Sequence, residues 1–330
     1  MKTVVIRRTG GPEVLETVEQ PIPAPGPGEV VVRAAAIGVG WPDVLIRTGV
    51  YKWMPPLPTS PGSDMTGTIA AIGPDVTALA VGDSVLVTAR DLKQRGGCYT
   101  EYLLVPATAP YRLPAGIDLD SAACLPNYQV AWAMLQESRG QRIPHSIFIA
   151  GAAGGVGSAA VQLARHLGMS VIGTVSSSDK AAFARRQGAE HVINYKLEPV
   201  LQRVLDITAG RGVDLVLDHV GGAGLIDSLK MLAPWGCVVS YNAVAGAPEA
   251  NIFAEMRALL SKSLTLRCFS MHSYDAEPER RRKLMTDVIS LLDAGAIRPA
   301  VGLTLPLSEA TEAHRRIEQG NVLGKILLKP

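Results

Sequence analysis

Cysteine is scarce in this chain, and what there is lies scattered. Cys98, Cys124, Cys237 and Cys268 are the only four, and no two of them form a C-x-x-C pair. That spacing excludes a disulfide framework and a cysteine zinc knuckle. The six histidines are equally dispersed, with no H-E-x-x-H sequence and no His/Cys cluster, so no metal-ligand set is legible. Net charge is nearly absent too, because 32 Lys and Arg face 30 Asp and Glu, leaving +2. No basic stripe suits a nucleic acid or an anionic membrane surface. The opening residues, MKTVVIRRTGG, lack the apolar core of a signal peptide, which implies a cytoplasmic protein. A last absence is of charge: Ile143 to Ala164 holds no Asp, Glu, Lys or Arg, a length that could span a bilayer. Glycines cluster inside that stretch and its apolar stripe begins only after them, which argues against a membrane helix.

Those glycines organise the chain. Residues 147–149 form a short apolar run that reads as a buried parallel strand. The turn AAGGVG (152–157) follows, with no bulky side chain before Val156. Val161, Leu163, Ala164 and Leu167 then recur at helical spacing, Gly168 marks a helix stop, and 171–175 is a second strand. A strand, glycine turn, helix and strand make a dinucleotide fingerprint. Diphosphate must approach the backbone closely and set its charge at a helix N-terminus, so Gly154, Gly155, Val156 and Gly157 are candidate cofactor contacts. The match is A-x-G-x-x-G, with Ala152 in place of the first glycine. A ligand-free strand-to-helix turn would carry the same pattern, so the flanking strands give it weight.

Either side of this unit the chain changes character. Residues 1–122 are β-rich, with strands at 4–6, 29–36, 65–72 and 84–88 broken by Gly and Pro. Residues 123–268 alternate, with helices at 181–187, 199–207 and 225–232 and strands at 191–194, 213–217 and 237–241. That rhythm is an α/β, doubly wound parallel sheet of Rossmann type. An amphipathic helix at 280–292 and strands at 300–305 and 326–328 return to the first domain. The expected domains are therefore 1–122 with 269–330, and 123–268.

Several long motifs stand in one order: IRTGVY (46–51), PGSDMTGTIAAIG (61–73), AAGGVG, GTVSSSDKAAFARRQGAEHVINY (173–195), GRGVDLVLDHVGG (210–222) and GKILLKP (324–330). By these the chain resembles the zinc-independent quinone oxidoreductases, the zeta-crystallin group of the medium-chain dehydrogenase/reductase superfamily, nearly from end to end. The resemblance implies a GroES-like, β-rich catalytic domain built from both chain ends, wrapped around the nucleotide domain, with the active site in the cleft between them. Zinc-bearing relatives place a cysteine ligand near 38–43, where this chain reads GVGWPD, and Gly-His-Glu where it has Gly62-Ser63-Asp64. Their four-cysteine lobe follows Val87, where only Cys98 occurs. No zinc ligand set can be assembled, and without a Lewis acid an electron-poor acceptor is favoured.

The strand end at 175 bears on the cofactor. NAD-binding relatives end that strand in an acid; here Val175 stands there, followed by Ser176-Ser177-Ser178-Asp179-Lys180. A carboxylate would repel a 2′-phosphate, whereas serines and a lysine would hold it. The resemblance carries over Ser176, Lys180 and Tyr195, and the expected cofactor is NADPH. It also carries over Tyr51 as the active-site tyrosine, a phenol protonated at neutral pH that can donate to the acceptor oxygen as hydride arrives. Tyr241, Asn242 and Ala243 follow a strand at its carboxyl edge, and Phe269, Ser270 and Met271 match a segment beside the nicotinamide. Trp41, Trp53 and Asn127 complete the expected lining, with ordinary packing as the alternative for each aromatic. Gly40, Val130 and Gly320 depart from relatives that carry Asn, Thr and Arg there.

Together these readings imply a cytoplasmic, zinc-independent, NADPH-dependent reductase of quinones or α,β-unsaturated carbonyls, without nucleic acid or membrane partners. It is expected to act as a homodimer that, as in the resembled family, pairs the edges of its nucleotide-domain sheets, with 237–241 and 243–247 supplying that edge. Two alternatives stay open: an enoyl thioester reductase, and a non-catalytic NADPH-binding protein with a structural or RNA-binding role.

Overall fold

A computed structural model describes residues 1–138 and 142–330. Its strands are β1 (Lys2–Val5), β2 (Glu16–Glu19), β3 (Glu29–Val39), β4 (Asp64–Ile72), β5 (Ser84–Thr88), β6 (Tyr102–Pro106), β7 (Tyr111–Arg112), β8 (Ser146–Ile149), β9 (Ser170–Val175), β10 (His191–Asn194), β11 (Val213–Asp218), β12 (Leu232–Ser240), β13 (Thr265–Cys268), β14 (Val301–Pro306) and β15 (Lys325–Lys329). The α-helices are α1 (Trp41–Thr48), α2 (Leu119–Ala122), α3 (Leu125–Glu137), α4 (Gly155–His166), α5 (Ser178–Gln187), α6 (Val200–Ile207), α7 (Gly222–Lys230), α8 (Ile252–Ala258), α9 (Pro278–Asp293) and α10 (Ala310–Glu318). Two compact units result, Met1–Pro126 with Met285–Pro330, and Asn127–Leu284.

In the first unit a seven-stranded sheet runs β14-β15-β3-β4-β5-β7, with β6 also paired to β3. The register between β3 and β4 shifts twice, between Val31 and Val32 and between Ala34 and Ala36. Such bulges bend a strand and raise its twist, so β3 can serve β4, β6 and β15 in turn. Alternating positions Val30, Val32, Val85, Val87, Ile326 and Leu328 fill the core. The strands near the C-terminus, β14 and β15, thus join the sheet begun by the N-terminal residues, as the apolar runs at 300–305 and 326–328 imply.

In the second unit six parallel strands run β10-β9-β8-β11-β12-β13. The chain winds outward from β8 through β9 to β10, then restarts at β11 on the other side. The order therefore reverses between β8 and β11, a topological switch point where ligands bind at the carboxyl ends. Two expectations are corrected. Leu232 opens β12 instead of closing the preceding helix, because α7 stops at Lys230. On the β12 side the sheet ends at β13, not at the run 237–241: Cys237 to Ser240 pair with Thr265 to Cys268 and are covered by them. The apolar character of 237–241 reflects burial between β11 and β13. Residues 243–247, expected at that edge, instead bond to the turn after β11, with Val244 N donating to His219 O and Ala245 N to Val220 O.

Candidate functional site

The glycine turn after β8 has the geometry of a phosphate cradle. Gly151 takes the left-handed conformation (φ +65°), and Gly154 N closes the turn onto Gly151 O at 3.0 Å. The position needing glycine is thus Gly151, one residue before Ala152. Ala152 itself is fully buried, and its N donates to Thr174 O at 2.9 Å, so a methyl group fits in place of the usual glycine. Gly157 is different, since a Cβ there would lie 2.2 Å from Gly151 O. Gly154 caps α4 without any side-chain hydrogen bond. The first-turn N–H groups of Gly155, Val156 and Gly157 have no intrahelical acceptor and carry the positive end of the helix dipole. An uncapped helix start in a turn with no room for side chains fits a diphosphate.

Beside it, β9 ends at the buried Val175. Ser177 caps α5 by accepting from Lys180 N at 3.4 Å, and Lys180 Nζ donates to Ser176 Oγ at 3.0 Å. Asn194 pairs with Val175, and Tyr195 N donates to Val175 O at 3.1 Å, leaving an exposed ring. Ser176, Lys180 and Tyr195 therefore gather at the carboxyl ends of two neighbouring strands. Burial, and then the charge of Lys196, hold the Lys180 ammonium below its usual pKa. Sequence reasoning passed over Lys196; its signal was the position two residues past the end of the strand paired with β9.

At the carboxyl ends of β11 to β13 a second group assembles. Asp218 closes β11, and its Oδ1 accepts from Val220 N at 2.7 Å and Gly221 N at 3.2 Å. Tyr241 N donates to Asp218 O at 3.0 Å, and the Tyr241 and His219 ring centroids are 6.0 Å apart. Burial, and then the charge of Asp218, push the Tyr241 phenol up, so it stays protonated. Burial holds His219 down, which keeps the imidazole neutral. Asn242 and Ala243 are exposed, with Asn242 Oδ1 accepting from Ala243 N at 2.9 Å. Phe269 N donates to Ser240 O at 2.8 Å, Ser270 Oγ accepts from His272 N at 3.2 Å, and Met271 is buried. Asn127 is half-buried in the first turn of α3, and it too belongs to this unit.

Tyr51, Trp53 and Trp41 belong to the first unit. Helix α1 ends at Gly49 (φ +81°), and Tyr51 N folds back onto Leu45 O at 3.2 Å. The Tyr51 and Trp53 rings lie 5.8 Å apart, tilted by 58°, and Tyr51 packs against the core. Trp41 is the first residue of α1, whereas Tyr51 and Trp53 follow its C-terminal end. The positions compared with zinc ligands hold a different network. Asp43, fully buried, accepts from Ser63 Oγ at 2.6 Å, Gly40 N at 2.8 Å and Tyr99 OH at 3.3 Å. Burial outweighs those hydrogen bonds and raises its pKa to about 6. Asp64 pairs with the buried Lys325, Nζ to Oδ2 at 3.2 Å. Among the described residues, no group of three or more His, Cys, Asp or Glu could hold a metal ion.

Residues 26–115 match the family described as alcohol dehydrogenase GroES-like domain, and residues 155–290 the family described as zinc-binding dehydrogenase. A quinone oxidoreductase of Pseudomonas aeruginosa is 35% identical over all of this chain and 99% of its own length. A 2-haloacrylate reductase from a Burkholderia species is 32% identical over 99% of this chain and 98% of its own. Among solved structures, Escherichia coli quinone oxidoreductase complexed with NADPH superposes with a TM-score of 0.86 at 31% identity, covering both chains completely.

Proposed function

This chain belongs to the quinone oxidoreductase family of the medium-chain dehydrogenase/reductase superfamily, and from that premise we propose that it is an NADPH-dependent reductase of quinones or α,β-unsaturated carbonyls. The observation that carries the reading is the end of β9: an apolar Val175 where an acid would select NADH, beside Lys180 held on Ser176. Bound NADPH supplies a hydride from C4 of its nicotinamide.

The chain's own residues divide the remaining work. The N–H groups of Gly155, Val156 and Gly157 bind the diphosphate. Ser176, Lys180 and Tyr195 bind the 2′-phosphate, Lys180 through a charge-assisted hydrogen bond. Tyr241, Asn242, Ala243, Ser270 and Met271 position the nicotinamide, and Trp41, Trp53, Asn127 and Phe269 line the acceptor. Tyr51 donates its hydroxyl to the acceptor oxygen as negative charge develops there. Neither Gly40 nor Val130 has a polar side chain to share that task.

The reaction proceeds without zinc. Asp43 is engaged by three donors and Asp64 by the Lys325 ammonium, which places a fixed positive charge beside that carboxylate. Burial also raises the Cys98 thiol well above its usual pKa, which disfavours the thiolate form. Activity should therefore survive exhaustive chelation, and one zinc per chain in elemental analysis would contradict this. Among the described residues no helix is long and apolar enough to cross a membrane, and the partner is a small electron-poor molecule. Steady-state oxidation of NADPH and NADH against quinones, enones and enoyl thioesters tests the whole reading. Turnover with quinones or enones and a preference for NADPH are expected; turnover with thioesters alone, or none, would overturn it.

A further inference from the structure

Resting on the NADPH reading above, we propose that Lys196 is a further specificity-determining residue, a second cation that reads the cofactor's 2′-phosphate together with Lys180. The fold brings Lys196 there by three fixed steps. Parallel pairing sets Asn194 beside Val175 at the carboxyl end of the sheet. Tyr195 N is then tied to Val175 O at 3.1 Å. Asn194 finally shapes the turn: its Oδ1 accepts from Lys196 N at 3.1 Å, and its carbonyl accepts from Leu197 N at 2.9 Å and Glu198 N at 3.0 Å. Lys196 is left exposed, one residue past Tyr195.

On β9's side of the same sheet end, Lys180 Nζ is held at 3.0 Å from Ser176 Oγ. Both lysines follow the carboxyl ends of paired strands, Lys180 after β9 and Lys196 after β10, and the charge of Lys196 adds to burial in lowering the pKa of Lys180. Like charges brought together cost free energy, and a shared anion turns that cost into attraction. The acid nearest in sequence is already engaged, since Glu198 accepts from Arg203 Nε at 2.8 Å and Asn194 N at 3.3 Å. The strand end itself is the apolar Val175. A phosphate monoester with nearly two negative charges gains from both lysines, whereas a ribose 2′-hydroxyl gains from neither charge. Lys196 thereby acts on selectivity between NADPH and NADH while leaving the adenosine and diphosphate contacts untouched.

Titration calorimetry on the full chain tests this, using NADPH, NADH, 2′,5′-ADP and 5′-AMP as probes with wild type, Lys196→Gln and Lys196→Arg. Lys196→Gln is expected to weaken NADPH and 2′,5′-ADP by about three- to tenfold, to shift NADH and 5′-AMP by less than roughly twofold, and Lys196→Arg to restore binding. The salt dependence of NADPH affinity should become shallower in Lys196→Gln. If wild type prefers NADPH and Lys196→Gln keeps that preference undiminished, the role of Lys196 is overturned and the NADPH reading stands. Equal weakening of all four probes likewise overturns it, as a structural effect. If wild type binds NADPH and NADH equally, the NADPH reading itself fails, and this inference with it.

Discussion

Replacing Tyr51 by Phe removes one hydroxyl and leaves the ring in place against Trp53 and the core. Loss of a single oxyanion donor costs about 2.7–4 kcal/mol, so Tyr51→Phe should lower turnover roughly a hundredfold or more with an enone and a quinone alike. NADPH affinity should not change; unchanged turnover with both acceptors would make Tyr51 a packing residue. Lys180→Ala removes a charge-assisted hydrogen bond worth about 1.5–3 kcal/mol and should weaken NADPH binding alone. Equal losses for NADH and NADPH in calorimetry would contradict that. The Lys180 contact with Ser176 is local, four residues apart, so the sequence already groups the two. Asp64 and Lys325 were not, because 261 residues separate them and only the sheet order brings β15 to β3 and β4. Local chemistry can be read from spacing, whereas a buried pair across the sheet needs the topology first.

Elements divide in a similar way. The amphipathic and glycine-stopped helices α4 and α5 announce themselves, whereas α3 is hidden because it is buried nearly all round: Leu125, Tyr128, Ala131, Ala133, Met134 and Leu135 are all inside, and no apolar stripe stands out. Helix α1 escapes because it is short and begins at Trp41-Pro42 after a glycine cap. Its first turn yields a pH prediction. Asp43 is raised from 3.8 to about 6, chiefly by burial, so between those values the folded chain keeps a proton that the unfolded chain has released. The stability from this group is complete below about pH 4 and is lost as pH rises through 6, a change on the order of 3 kcal/mol. His314 opposes it. Burial, and then Arg47, push its pKa from 6.5 down to about 3, so its contribution is complete above the unfolded value and lost as pH falls. The difference between wild type and Asp43→Asn isolates the carboxyl. Urea unfolding should show the variant gaining on wild type between pH 4 and pH 7; a difference that does not vary with pH would contradict the assignment.

At the scale of the whole molecule, the sequence showed the alternation that makes a doubly wound sheet but not which strand would end it. Composition cannot separate a strand buried between neighbours from one exposed for pairing, and the apolar run at 237–241 proved to be buried. Beyond β12 the six-stranded sheet ends at β13, one of its two edge strands, whose Thr265, Arg267 and Cys268 are exposed. An open edge invites a second copy, and we expect a homodimer paired there. Light scattering at micromolar concentration should give twice the chain mass, and a monomer would remove the expectation. Hydride transfer is the central claim, and isotope tracing tests it most directly. NADPH deuterated at C4 is mixed with an α,β-unsaturated ketone and the enzyme in a single turnover, and the product is read by mass spectrometry and proton resonance. The predicted result is deuterium on the β-carbon and a solvent proton on the α-carbon, faster than with deuterated NADH. Reduced product without cofactor deuterium, or no reduced product at all with either the ketone or a quinone, would contradict it.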